Sequence, residues 1–109
     1  MPSKLERDFQ SSLIKELQEL FPGCIITKND PNYIQGIPDL TILWNGHWAL
    51  LECKKSAKEV RQPNQEYYID SASEMSFGAF IFPENKEKVL NDLQQAFRDR
   101  RPARVSRRK

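Results

Sequence analysis

The stretch that decides the fold is residues 39–54, which read DLTILWNGHWALLECK. It contains two β-rich runs, Leu40–Trp44 and His47–Cys53, separated by Asn45-Gly46. Asparagine followed by glycine tolerates positive φ at both central positions of a type I′ turn. The sequence therefore predicts a β-hairpin with a two-residue turn, and this is the strongest local signal in the chain.

The register of this hairpin brings two carboxylates together. With Trp44 facing His47 across the turn, counting outward along both strands places Asp39 opposite Glu52. Directly opposed residues have Cβ atoms about 4.5–5.5 Å apart, so like charges there repel each other. A divalent cation would remove this repulsion, and Mg²⁺ is held by one or two carboxylates together with phosphate oxygens and water. Because Lys54 returns to the same face as Glu52, the set predicts metal-assisted hydrolysis of a phosphodiester.

A purely structural interpretation of the same residues stays open. Asp39 can be a turn residue at the start of a strand, and Glu52 and Lys54 can be the solvent-facing half of an amphipathic strand. A β-bulge would also shift the register by one residue. We favour the catalytic interpretation because the other elements are expected to pack around the end of this strand. His47 is expected to be a cross-strand surface partner rather than a general base.

Further elements are predicted on both sides of the hairpin. Apolar residues at four-residue spacing predict an amphipathic helix over residues 4–21, which Pro22-Gly23 ends. A short β-rich run over residues 24–27 follows. After the hairpin we predict a helix over 64–76 entered through Pro63, a buried strand over 77–82 and a helix over 84–98. The order α-β-β-β-α-β-α predicts an α/β fold.

Length and composition exclude several classes of protein. A chain of 109 residues is expected to form a single folded domain. No apolar run approaches the roughly 18–20 residues of a membrane-spanning helix, and the N-terminus lacks the apolar segment of a secretory signal. The two cysteines, Cys24 and Cys53, are too few for a disulfide scaffold and predict thiols in a reducing cytoplasm. We expect a cytoplasmic protein with no membrane partner.

The net charge of +2 conceals a basic C-terminal segment. Residues 98–109 contain seven of the 17 Lys and Arg residues but only one of the 15 Asp and Glu residues. We predict that residues 1–97 form the folded domain and that residues 98–109 are a largely disordered tail. Arg104, Arg107 and Arg108 of this tail are expected to bind DNA phosphates. A solvated terminus with no partner is the alternative.

Three segments of the chain together resemble a known nuclease family. They are Gly36-Ile37-Pro38-Asp39-Leu40 at the start of the hairpin, Glu52-Cys53-Lys54 at its end and Gln65 on the following helix. In this order they resemble the motif of the PD-(D/E)XK nuclease superfamily, and within it the small VRR-NUC branch. The resemblance covers roughly residues 5–90. It implies a restriction-endonuclease-like core with a mixed central sheet flanked by helices.

The resemblance also implies a role for each of these residues. Asp39 and Glu52 look like the metal-binding carboxylates, and the backbone carbonyl of Cys53 looks like a further ligand. Lys54 looks like the residue that orients or activates the attacking water, and Gln65 is similar to a helix glutamine that supports the site. The implied cofactor is Mg²⁺, for which Mn²⁺ is expected to substitute.

Glu6 has two interpretations, and the sequence leaves them evenly balanced. Related nucleases often supply a glutamate to the metal site from the first helix, so Glu6 is a possible catalytic residue and metal ligand. Ser3-Lys4-Leu5-Glu6 also fits a capping box, in which the Glu6 side chain would bind the backbone amide of Ser3 and do no chemistry.

The predicted function is a metal-dependent DNA endonuclease that selects branched DNA, similar to phage-encoded Holliday-junction resolvases. The location implied is the cytoplasm of a prokaryote or of a phage-infected host. Lys55, Lys58 and Arg61 are expected to bind the DNA backbone beside the site, with a solvated loop as the alternative. A homodimer is expected because a four-way junction needs two symmetric cuts. The alternatives are a sequence-tolerant nickase or DNA-end-processing nuclease, and a non-catalytic nucleic-acid-binding module.

Overall fold

The computed structural model describes residues 3–99, which form three helices and four strands. In chain order they are α1 (Lys4–Leu20), β1 (Ile25–Lys28), β2 (Leu40–Trp44), β3 (His47–Cys53), α2 (Pro63–Met75), β4 (Gly78–Ile81) and α3 (Lys86–Asp99). The strands form one mixed sheet in the order β1-β2-β3-β4, in which only β3 and β4 are parallel. The predicted α/β class and order of elements are confirmed.

The β2–β3 hairpin has the predicted register and turn. Leu40 pairs with Leu51, and the pairing continues without a bulge as far as the turn. Asn45 and Gly46 have φ values of 51° and 81°, so both central residues take the positive φ that a type I′ turn requires. Asp39 directly precedes Leu40, and Glu52 directly follows Leu51, so Asp39 enters the sheet opposite Glu52.

Different helices cover the two faces of the sheet. Leu40 and Leu51 are fully buried in the main core, which also contains Leu17 from α1 and Leu93 from α3. Because side chains alternate along a strand, Glu52 points to the other face. There α2 packs over β3 and β4. The predicted site therefore lies on the α2 side of the sheet, away from the main core.

The prediction that His47 lies on the surface is wrong. Its side chain is buried, and its ring stacks on that of Phe97, with 5.2 Å between the ring centroids. The cause is α3, which extends far enough to cover the turn end of the hairpin. Nothing in the hairpin sequence itself indicates this long-range contact.

The C-terminal helix enters the segment that was assigned to the basic tail. α3 ends at Asp99, so the first two residues of segment 98–109 belong to this helix. The rest of the segment, with Arg104, Arg107 and Arg108, lies outside the described residues. Within residues 3–99, no helix is both long and apolar enough to cross a bilayer.

Candidate functional site

Asp39 and Glu52 lie side by side at the open end of the hairpin, and each accepts a hydrogen bond from the opposite strand. The backbone N–H of Asp39 donates to Oε1 of Glu52 at 3.1 Å. In return, the backbone N–H of Cys53 donates to Oδ2 of Asp39 at 3.0 Å. These two bonds continue the pairing of the strands with side-chain oxygens as acceptors. They fix both carboxylates at one end of the sheet.

Gln65 connects Glu52 to Lys54. Its Nε2 donates to Oε2 of Glu52 at 2.9 Å, and its Oε1 accepts from Nζ of Lys54 at 2.9 Å and from the backbone N–H of Gln62 at 3.0 Å. Lys54 is only 4% exposed, and its Nζ also donates to the carbonyl of Val60 at 3.2 Å. Because an amide has its donor and acceptor at fixed positions, Gln65 sets the orientation of Glu52 and Lys54 relative to each other.

The environment opposes ionisation of both carboxyl groups. Burial, followed by repulsion from Asp39, raises the pKa of Glu52 to about 8 in spite of the nearby Lys54 ammonium. Burial also raises the pKa of Asp39, against the opposing effects of the Cys53 N–H and of Lys54. A raised carboxyl pKa means that the anion is destabilised. A cation bound between the two groups would therefore stabilise the site.

Glu59 also joins the site, from the loop after β3. Its Oε2 lies 3.9 Å from Nζ of Lys54, and its Oε1 accepts from the backbone N–H of Lys55 at 2.7 Å. Its carboxyl group also lies close enough to that of Glu6 to raise the pKa of Glu6. Glu59 lies in a loop without hydrophobic periodicity, so the sequence carries no signal for its position.

Glu6 contributes its backbone to a helix cap and its side chain to the carboxylate cluster. Its N–H donates to Oγ of Ser3 at 3.1 Å, which makes Ser3 the cap of α1. Burial, followed by repulsion from Glu59 and Asp39, raises the pKa of the Glu6 carboxyl. The structure thus brings Glu6 to the edge of the cluster, and its role as a metal ligand stays a prediction.

The loop that precedes Asp39 is fixed on both sides. The side-chain amide of Asn29 donates to the carbonyl of Pro38 at 2.8 Å, and its backbone N–H donates to the carbonyl of Asp39 at 2.8 Å. Gly36 has a φ of 86°, and a Cβ there would overlap that of Asn64. Only glycine allows this approach, so the loop packs directly against the first turn of α2.

The basic residues after β3 lie close to this site. Lys55 and Lys58 are exposed in the loop that follows the strand. The guanidinium of Arg61 lies over the ring of Phe80, with 4.1 Å from its Cζ to the ring centroid. Phe80 pairs in register with Glu52 on β3. A permanent cation is thereby held over β4, next to the strand that carries Glu52.

The donor set is compatible with Mg²⁺. Within the described part of the chain, no three His, Cys, Asp or Glu side chains already form a metal-binding group. Asp39 and Glu52 nevertheless provide the one or two carboxylates that Mg²⁺ uses when phosphate oxygens and water complete its coordination. The thiol of Cys53 is buried, and this burial raises its pKa, so it supplies no thiolate. Its backbone carbonyl as a ligand stays a prediction.

We compared the chain with protein-family models, with curated proteins and with solved structures, and none of the three comparisons gave a match.

Proposed function

We propose that this protein is a metal-dependent DNA endonuclease that hydrolyses phosphodiester bonds. The observation that carries the proposal is the buried connection of Glu52 to Lys54 through Gln65, with Asp39 beside Glu52. Burying facing carboxylates destabilises a fold, so a strand end with only a structural role has no need of them. The arrangement also agrees with the resemblance to the PD-(D/E)XK motif. The mixed sheet and the element order are compatible with a restriction-endonuclease-like core.

In this proposal Asp39 and Glu52 hold Mg²⁺ or Mn²⁺, with the Cys53 carbonyl and Glu6 as further ligands. The ion supplies Lewis-acid polarisation of the phosphodiester and neutralises the charge that develops there. The carboxylates reach this position because each accepts a backbone N–H from the opposite strand.

Lys54 is the proposed donor to the attacking water or to a phosphate oxygen. An ammonium has three N–H groups, and Lys54 uses two of them on Gln65 and on the Val60 carbonyl. The third N–H makes no hydrogen bond with another described residue, although carboxylate oxygens of Glu52 and Glu59 each lie 3.9 Å from Nζ, and in this proposal it serves the substrate. Gln65 positions this ammonium beside Glu52 and acts through these two side chains rather than on the substrate.

The proposed substrate is branched DNA, and the proposed assembly is a homodimer. Two symmetric cuts in a four-way junction require two sites related by two-fold symmetry. Lys55, Lys58 and Arg61 are proposed to bind the phosphate backbone as it approaches the site, since they lie in the loop between Lys54 and α2. Light scattering with and without junction DNA tests the dimer.

The test of the catalytic proposal is cleavage of matched duplex, flap, splayed and four-way DNA in Mg²⁺ or Mn²⁺. Asp39→Asn is the variant to compare with the natural chain, because asparagine can still accept the hydrogen bond from the Cys53 N–H. We expect it to reduce cleavage to background while the fold persists. Glu74→Gln, at an exposed position of α2, is the control and should cleave at the natural rate.

Two outcomes would contradict the proposal. If the Asp39→Asn variant still cleaves DNA, Asp39 is not a metal ligand of the catalytic site. DNA binding by the natural chain without cleavage of any of the four DNAs would favour a non-catalytic nucleic-acid-binding module instead.

A further inference from the structure

A cleft lined by amide side chains lies next to the proposed site. It lies where the loop before Asp39 meets the first turn of α2, and Gln65 belongs both to the cleft and to the site. Its lining residues are Gln35, Gly36, Gln62, Pro63, Asn64 and Gln65, none of which is charged. A groove that binds only phosphates is expected to contain Lys or Arg. This cleft instead offers uncharged hydrogen-bond donors and acceptors.

Two of the amides in this cleft are available to a ligand. Gln35 projects from the loop and Asn64 from the helix, and both are exposed. Their amide groups form no hydrogen bond with any other group in residues 3–99. A carboxamide offers a donor and an acceptor at fixed spacing, which matches the donor and acceptor pairs on the edge of a nucleobase.

Exposed aromatic rings occur on both elements that form the cleft. Tyr33 lies two residues before Gln35 in the loop and is 84% exposed. Tyr67 is 64% exposed and lies three residues after Asn64, so it shares the same side of α2. Exposed rings of this kind can stack on unpaired bases. Neither ring lines the cleft itself, and that of Tyr67 packs edge-on against Tyr68 with 5.1 Å between the ring centroids. The amides therefore favour a base rather than a phosphate as the ligand, and the rings flank them.

We infer that this cleft binds an unpaired nucleobase adjacent to the scissile phosphate. The inference rests on the proposed function and specifies its substrate as DNA with an unpaired nucleotide at the cleavage point. Gln65 connects the two places, because it lines the cleft and also positions Glu52 and Lys54. In a perfect duplex the pairing edge of each base is already occupied by its partner, so Gln35 and Asn64 gain little there.

The test is DNA binding without metal, measured by fluorescence anisotropy in EDTA. The variant is Gln35→Ala with Asn64→Ala, which keeps the Cβ of residue 64 against Gly36. Three DNAs are compared, namely a splayed arm, the same arm with abasic sites at the unpaired positions, and a perfect duplex. The control variant is Gln95→Ala at an exposed position of α3. Circular dichroism verifies that each variant is folded.

We expect the double variant to bind the splayed arm about tenfold more weakly, which corresponds to about 1.4 kcal/mol, because it loses amide contacts to the edge of a base. Its affinity for the abasic arm and for the duplex should match that of the natural chain. An equal loss of affinity for all three DNAs would overturn the inference, because the amides would then contact sugar or phosphate. An unchanged affinity for all three DNAs would overturn it as well. If the natural chain binds none of the three in EDTA, the inference fails, whereas the proposed function is decided separately by the cleavage assay in Mg²⁺ or Mn²⁺.

Discussion

At its turn end the β2–β3 hairpin is closed by aromatic rings, whereas at its open end it holds charged groups away from water. The ring of Phe97 lies 5.2 Å from that of Phe21, 5.2 Å from that of His47 and 6.2 Å from that of Trp44, all between centroids. The indole N–H of Trp44 is satisfied by the carbonyl of Pro22 at 2.9 Å. The turn end thus gains packing without leaving a polar group unpaired.

The open end of the same hairpin has the opposite energetic character. Asp39 and Glu52 face each other there, and burial together with their mutual proximity opposes ionisation. Lys54 and Gln65 offset only part of this cost. The comparison shows that the hairpin is anchored at the end where no chemistry is proposed. That anchor lets the fold tolerate buried charge at the other end.

The largest effect on stability is expected at the turn end. Phe97→Ala should lower the free energy of unfolding by about 3–5 kcal/mol, because the ring fills the space between three other rings. Urea unfolding followed by circular dichroism measures the change. Leu43→Ala, at a 42% exposed position of the same hairpin, is the control, and its free energy of unfolding should fall much less. Similar losses in the two variants would show that the aromatic cluster is not the anchor.

The largest effect on catalysis is expected at the open end. Lys54→Met keeps the bulk of the buried stem but removes the ammonium, so cleavage should slow by a factor of about 10² to 10³. The affinity for DNA should change little. Lys58→Met, which removes an exposed ammonium, is expected to weaken binding without slowing the bound reaction. If Lys54→Met instead loses binding and rate to the same extent, Lys54 only anchors a phosphate.

The dependence of stability on pH separates the two ends further. The pKa of Glu52 is about 8 in the folded chain and 4.5 ordinarily. Between these values the unfolded chain has released a proton that the folded chain keeps, so metal-free stability should fall as pH rises from about 4.5 to about 8. Asp39→Asn removes the second cause of this shift. We expect the variant to be more stable than the natural chain at pH 8, by about 1.4 kcal/mol for each pKa unit by which the Glu52 shift is reduced.

Urea unfolding in EDTA at pH 5, 6, 7 and 8 measures this difference. The advantage of Asp39→Asn should shrink toward pH 5, and the turn-end variant Phe97→Ala should retain the natural pH dependence. Parallel curves for Asp39→Asn and the natural chain would mean that repulsion between the carboxyl groups does not destabilise the fold.

The smallest expected effect concerns the cation beside the open end. Arg61→Ala should weaken DNA binding severalfold on every DNA alike and reduce the slope of log K against log salt by about one, as loss of one phosphate contact does. Anisotropy titrations from low to moderate salt measure the slope. Lys15→Ala, at an exposed position of α1, serves as the control. If the slope is unchanged in Arg61→Ala, Arg61 does not bind a DNA phosphate, and its role is limited to the contact with Phe80.

The hairpin could be predicted because the information that determines it is local. Asn45 and Gly46 define the turn, the turn defines the register, and the register brings Asp39 to Glu52. Gln65 was selected through the family resemblance, and its bonds to Glu52 and Lys54 were not visible in the sequence.

The contacts that were not predicted all come from other parts of the chain. The burial of His47 depends on how far α3 extends over the sheet. Glu59 approaches Lys54 because of the path of an irregular loop, and an irregular loop has no hydrophobic periodicity from which that path could be predicted. The hydrogen bond from the Asn29 side chain to the Pro38 carbonyl was not predicted either, because asparagine and proline in these positions indicate only a turn. Such contacts depend on tertiary packing rather than on local pattern.

The parallel pairing of β3 with β4 has a consequence for the kinetics of folding. A hairpin with a two-residue turn closes in about 1–10 μs, whereas β4 reaches β3 only after the whole of α2 has crossed over. This difference in sequence separation predicts that Asp39 and Glu52 become opposed before Gln65 packs against them. A divalent cation present during folding would act on this early species, and its effect would appear in the refolding rate as well as in the stability of the finished chain.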